Sequence, residues 1–291
     1  LPGARPETAA EVLDRWRAIA DGLGHRGVLA GRVPSGRSPR IAIEGGTVLG
    51  RDQELGERER AWADARAGRG SPTLIIGEPG IGKSRLLAEL ALRIQLDGGD
   101  VIRVSARAGD EPWAGVRELV RALLASTGPA WDDRGLSPAR RAAVATFLSR
   151  GGNQLGPGRW MMAETAAELV LAAAAQRPLA ILVDDIDAAS PAALDLLAYL
   201  ARAVPDAAAL LVLAGRGLEP GRAPVRSPVD TAVAAAARGR RFELAPLGQS
   251  SFFALTRAAV GAELGGRLAD ELRRVSGGNP GHALAALEAM L

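Results

Sequence analysis

The sequence predicts an α/β fold: a parallel sheet covered by helices on both faces, followed by a small all-helical domain. Three observations predict it. From residue 47 onward, short and wholly apolar runs alternate with helical patterns, as a parallel sheet buried on both sides requires. Beyond residue 247 only helical patterns remain. Apolar residues make up 47% of the 291-residue chain, ample for a core, but aromatics are only 3%, so alanine, leucine and valine must do most of the packing.

Residues 7–20, ETAAEVLDRWRAIA, carry a helical pattern with Val12, Leu13, Trp16 and Ile19 on one face. GRVPSGRSPR (31–40) reads as a linker. TLII (73–76) predicts a buried strand, and residues 83–96 a helix with Leu86, Leu90 and Ile94 on one side. VIRVSA (101–106) is a second strand, followed by a helix from Trp113 to Ser126. A helical stretch with loops spans 137–176. LAILVDD (179–185) is a strand, PAALDLLAYLARA (191–203) a helix, ALLVLAG (209–215) a strand and RFELAPL (241–247) the last strand. Helices are expected at 249–260, 264–275 and 280–291. The expected domains are residues 1–46 (a helix and linker, the tail of an upstream domain), 47–247 (the α/β domain) and 248–291 (a small helical domain, truncated).

Formal net charge is +3, so the sequence pI of 10.3 reflects arginine's high pKa more than a basic surface. With no block of like charge, direct nucleic-acid contact by this segment is not expected. The absence of cysteine rules out disulfides and thiolate metal sites. His25 and His282 are too far apart in sequence to suggest a zinc site. The most apolar stretch, Leu169 to Val183, is interrupted by Gln176, Arg177 and Pro178 and is too short to span a bilayer. No secretory leader opens the chain, so a cytoplasmic location without membrane contact is expected. The chain begins without methionine and stops inside a helical pattern, as a piece of a longer polypeptide would.

Lys83 is the only lysine among 36 basic residues. It lies in GEPGIGKS (77–84), which fits G-x-x-x-x-G-K-[ST] between a predicted strand and a predicted helix. In that motif backbone N–H groups and the positive helix end converge on phosphate oxygens. Lys83 would reach the β- and γ-phosphates, and the Ser84 hydroxyl would bind Mg²⁺. A compact ammonium fits between two phosphates inside a tight loop, where arginine's planar fork does not. Codon bias toward arginine is overridden at this one position. Glu78, Pro79, Gly80, Ile81, Gly82, Lys83, Ser84 and Arg85 are the candidate nucleotide-contacting residues of the loop. Arg85, just inside the helix, also fits a plain surface residue.

LAILVDDIDAAS places two acids at a strand's carboxyl end, where ligands of such sheets bind. Asp184 is the candidate Mg²⁺-side carboxylate, acting through water. Asp185 is the candidate that orients or activates an attacking water. Asp187 reads as a turn cap. Arg216, just past ALLVLAG, is a candidate to read the γ-phosphate and stabilise transition-state charge, with a loop arginine of no such role as the alternative.

These residues resemble a known family. VLGRDQEL (48–55) is similar to the opening motif of signal-transduction ATPases with numerous domains (STAND), which is shared with AAA+ replication initiators. GEPGIGKSRLL, LAILVDDIDAASPAALDLLAYLAR, LVLAGR, FELAPLGQSSF and SGGNPGHALAALE follow in that group's order. The resemblance spans about 47–291 and is strongest to the ATPase modules of large LuxR-type and SARP-type bacterial transcription activators and of some cyclases. It implies an AAA+-like domain binding ATP/ADP with Mg²⁺ and hydrolysing slowly. It further implies a regulatory switch, joined to effector DNA-binding and sensor domains of a longer chain, that forms nucleotide-dependent homo-oligomers. It places Val48, Leu49, Gly50 and Arg51 beside the adenine, and the lid turn Gly278, Asn279 and Pro280 over the nucleotide. Gly277 to Pro280 also suits a plain helix break before a proline-started helix. The family's common D-D-L-H-W-A-D is DDIDAAS here, and Asp52 replaces the usual glutamate. Two other classes stay open: a DNA-associated loader or remodelling ATPase, and a nucleotide-bound scaffold that does not hydrolyse. No acceptor motif or arginine-rich lid suggests a small-molecule kinase.

Overall fold

The computed structural model describes residues 48–107, 113–127, 137–149, 158–216 and 227–288. The expected N-terminal helix, the linker and His25 lie outside these residues. The chain divides into two compact units. The larger runs over Gln53–Glu78 and Lys83–Leu244. The smaller comprises Pro79–Gly82, Ala245–Leu291 and, among the described residues, 48–52.

The larger unit contains α1 (Asp52–Arg66, whose first residue belongs to the smaller unit), β1 (Ser71–Ile76), α2 (Lys83–Leu96), β2 (Asp100–Ser105) and α3 (Ala114–Thr127). It continues with α4 (Pro138–Ser149), α5 (Gly158–Gln176), β3 (Leu179–Asp184), α6 (Pro191–Ala203), β4 (Ala209–Gly215), α7 (Pro228–Ala235) and β5 (Arg240–Glu243). The strands form one sheet in the order β2-β3-β4-β1-β5, every pairing parallel. β1, β3 and β4 are buried along their whole length, which is why they read as continuous apolar runs.

Successive strand side chains point to opposite faces. Leu74, Ile76, Ile102, Val104, Ile181, Val183, Leu211 and Leu213 share one core cluster with α3, α5 and α6. Their neighbours Ile75, Ala180, Leu182, Leu210 and Val212 are equally buried. α2 packs on β2 and β3 through its Leu86, Leu90 and Ile94 stripe. The sheet is therefore flanked by helices on both faces, the α/β arrangement the alternation predicts. Two helices start as their sequences dictate: Ser190 and Ser227 accept the Ala193 and Asp230 amides, and a proline follows each cap.

α1 and α7 are not apparent from the sequence patterning. The inward side of α1 carries Leu55, Arg58, Ala61, Trp62 and Ala65. Arg58 is 1% exposed, with its guanidinium carbon 3.7 Å from the centre of the Phe242 ring on β5. Its Nη1 donates to Glu54 O at 2.7 Å. Burial pulls this guanidinium below its ordinary pKa, opposed by Glu57 and Glu54. The strand expected at 241–247 is shorter: pairing with β1 covers 240–243, Leu244 N adds one bond to Ile76 O, and Ala245 begins the other unit.

Gly70, just before β1, is hemmed in by backbone. A Cβ there would lie 2.1 Å from Val204 O and 2.7 Å from the carbonyl oxygens of Ala207 and Ala209. Gly70→Ala is expected to cost about 1–3 kcal/mol, as forced overpacking does. A lowered urea midpoint at unchanged slope would show it; an unchanged midpoint would mean the surrounding backbone yields.

The smaller unit carries α8 (Gln249–Val260), α9 (Ala262–Ser276) and α10 (Pro280–Glu288). Leu247, Phe252, Leu255, Leu272, Val275 and Leu287 form its core, with Leu49 packed against them. Gly277 and Gly278 both take positive φ, 62° and 80°, and so end α9 where a side chain would be strained. Among the described residues, no helix is long and apolar enough to cross a membrane.

Candidate nucleotide-binding site

The sheet register brings the candidate residues to one end. Ile76 of β1 pairs with Gly215 of β4, Val183 of β3 with Leu213 of β4, and Asp184 with Ser105 of β2. The loop after β1, both acids after β3 and Arg216 after β4 therefore all leave the carboxyl edge of the sheet, where ligands of parallel sheets bind.

Residues 77–82 link β1 to α2 without regular structure. Gly80 and Gly82 take φ of +78° and +104°, conformations that a side chain would strain. Ile81, 1% exposed, anchors the turn. The Lys83 ammonium folds back over its own loop, donating to Gly77 O at 2.8 Å and Glu78 O at 3.0 Å. Burial pulls the Lys83 pKa below its ordinary value. The Asp187, Asp184 and Asp185 carboxylates oppose this, and the Arg216 guanidinium adds to it. Ser84 and Arg85 are exposed at the start of α2. Arg103 of β2 donates to Ser84 O at 3.2 Å.

Asp184 is 7% exposed, and its Oδ1 accepts the Asp185 amide at 2.9 Å. Asp185 sits at φ 55°, ψ 37° and is the sole non-glycine residue with positive φ among the described residues. Aspartate tolerates this left-handed region better than most residues. It is held there by a hydrogen bond from the Ser105 hydroxyl to Oδ2 at 3.2 Å, with Arg107 Nε 3.7 Å away.

Asp187 does not act as a turn cap. Its Oδ1 accepts the Arg216 amide at 3.0 Å, and its Oδ2 pairs with Arg216 Nε at 3.1 Å. The expectation missed this because the partner is 29 residues away in sequence. Gly215 makes the approach possible, since a Cβ there would lie 2.6 Å from the Ile186 side chain.

Within the smaller unit, the opening motif and the Gly-Asn-Pro turn both reach the crown of the loop, residues 79–82. Val48 is buried, Leu49 half-buried and Gly50 exposed. Arg51, 4% exposed, donates from Nη2 to Ile81 O at 3.1 Å and to Ala245 O at 2.7 Å. Asn279, 1% exposed, donates from Nδ2 to Pro79 O at 2.9 Å. Its Oδ1 accepts the Gly281 and His282 amides at 3.1 and 3.4 Å. Gly281 N in turn donates to Gly80 O at 3.0 Å. Pro280 begins α10. Sequence reasoning placed Asn279 in the lid turn without this contact to the loop. It did not single out Ser105.

Residues 47–213, more than half of the chain, match the family model described as AAA ATPase domain. The chain belongs to that family. An uncharacterised protein of Rhizobium meliloti (strain 1021) is 32% identical to this AAA ATPase domain over 138 residues, covering 47% of this chain and 12% of that protein. The chain thus spans a small part of that relative's length. The structure of C. elegans PCH-2 is similar to this AAA ATPase domain with a TM-score of 0.38 and 11% identity, over 74% of this chain and 49% of that one.

The chemistry available at the sheet edge of this AAA ATPase domain is polarised. Lys83 and Arg216 supply two cations on neighbouring strand ends. Asp184 and Asp185 supply two carboxylates on the next strand. Such a set can hold a polyanion on one side and accept a proton on the other.

Proposed function

We propose that this AAA ATPase domain is a regulatory switch that binds ATP with Mg²⁺ and hydrolyses it slowly within a multidomain bacterial regulator. The observation that carries the reading is the gathering of Lys83, Asp184, Asp185 and Arg216 at one sheet edge beside a G-x-x-x-x-G-K-S loop. The motifs shared with STAND ATPases favour a switch over a processive machine, and self-association in the ATP state and linkage to DNA-binding and sensor domains come with that resemblance.

The donor set suits a Mg²⁺–nucleotide. Loop carbonyls are turned onto Lys83, Arg51 and Asn279, and Ser84 is exposed. Ser84 would hold the ion directly and Asp184 through water. When bound, the metal neutralises charge on the phosphate oxygens. Lys83 and the loop amides hold the β- and γ-phosphates. A water oxygen attacks the γ-phosphorus as its proton passes to the Asp185 carboxylate. The bond from γ-phosphorus to the bridging oxygen breaks, and ADP leaves with that oxygen. Arg216, steadied by Asp187, stabilises charge on the γ-phosphoryl group and senses its loss.

The test compares ATP and ADP affinities of the chain and of Arg216→Ala by titration calorimetry. The variant is expected to lose about 10-fold in ATP affinity, the worth of one charge-assisted contact, with ADP affinity unchanged. Equal loss for both nucleotides would remove Arg216 from the γ-phosphate, and turnover stimulated by duplex DNA would point to a DNA-associated remodeller instead.

A further inference from the structure

We propose that Arg51 and Asn279 are positioning residues that preset the amide donors of the phosphate loop without touching the nucleotide. The inference rests on the nucleotide-binding reading above. In a trans peptide the carbonyl of one residue and the N–H of the next point in opposite directions. A donor that fixes a loop carbonyl therefore also aims the following amide the other way.

Three consecutive peptide planes at the crown of the loop are fixed like this, all within the smaller unit. Asn279 Nδ2 holds Pro79 O, which aims the Gly80 amide. Gly281 N holds Gly80 O, which aims the Ile81 amide. Arg51 Nη2 holds Ile81 O, which aims the Gly82 amide. These amides face away from the side chains that hold their carbonyls, so a phosphate is met by donors already set.

The residues are built for this task. Asn279 uses its amide nitrogen on the loop and its carbonyl oxygen on the first turn of α10, so a 1%-exposed side chain has partners at both ends. The approach leaves no room for side chains: a Cβ on Gly281 would lie 2.6 Å from Gly80 Cα, and one on Gly80 2.9 Å from Asn279 Oδ1. Arg51 Nη2 alone bridges two carbonyls far apart in sequence, those of Ile81 and Ala245. It is buried, at 4% exposure.

The test uses Asn279→Asp in the full chain. Aspartate keeps the oxygen that caps Gly281 and His282, and it is a good helix cap, but it loses the donor to Pro79 O. Affinities for inorganic tripolyphosphate, ATP and ADP are expected to fall together by about 10-fold with adenosine affinity unchanged. The lost donor at a buried site also lowers the melting temperature of the free protein, so the split between tripolyphosphate and adenosine is the readout. Arg51→Lys, which keeps the charge but places its nitrogen one bond short of the Nη2 position, is expected to show the same split between tripolyphosphate and adenosine. Tripolyphosphate affinity unchanged in both variants would overturn the inference. So would parallel losses for adenosine and tripolyphosphate, the mark of a structural role alone. No tripolyphosphate or ATP binding by the unaltered chain would instead overturn the nucleotide-binding reading itself and this inference with it.

Discussion

Lys83→Ala is expected to weaken ATP binding at least about 100-fold, and Lys83→Arg to do nearly as badly. Alanine removes the ammonium that closes the loop, leaving Gly77 O and Glu78 O without their donor as well as the phosphates without their cation. It also leaves Asp184, Asp185 and Asp187 facing the incoming triphosphate with one cation fewer. Arginine restores the charge and not the shape. A planar guanidinium cannot sit 2.8 and 3.0 Å from two carbonyls of its own loop and still leave space for a phosphate. Titration with Mg²⁺–ATP decides the matter. An arginine variant that binds like the unaltered chain would return the solitary lysine to codon chance.

Asp185→Asn should leave ATP bound and stop its turnover. Loss of a positioned general base removes roughly 10²- to 10⁴-fold in rate, and about 100-fold is the minimum expected here. The substitution is a clean one. Asparagine tolerates the left-handed backbone at φ 55° as well as aspartate does, and its carbonyl oxygen still accepts from the Ser105 hydroxyl. Stability and affinity are therefore expected to hold while single-turnover hydrolysis falls. An unchanged single-turnover rate would remove Asp185 from the chemistry and favour a bound scaffold.

What the sequence disclosed and what it withheld divide along a physical line. The phosphate loop, the acid pair and the apolar strands are local, each written in a few adjacent residues, so they are legible. The contacts that steady them are not local. Arg51 reaches Ile81 across 30 positions, Asp187 reaches the Arg216 amide across 29, and Asn279 reaches Pro79 across 200. No pattern in the chain announces such pairs. Helix α1 went unseen for another reason. Its inward stripe includes Arg58, and hydrophobic periodicity counts arginine as surface, whereas here an aromatic face and a backbone carbonyl make its burial tolerable. α7 did carry its signals, a Ser227 cap and Pro228 behind it, but at eight residues it offers too few turns for a period to register.

The strand order also has a consequence for synthesis. β1, which leads into the phosphate loop, pairs with β4 and β5, and its register begins with Ser71 beside Leu210. A ribosome making this chain has translated the loop and its lysine long before it translates either neighbour of β1. Until β4 emerges, the apolar edge of β1 waits unpaired, the condition in which nascent chains are most exposed to aggregation. On the proposed function, the sheet edge that would meet nucleotide is complete only after β4 has emerged and paired with β1.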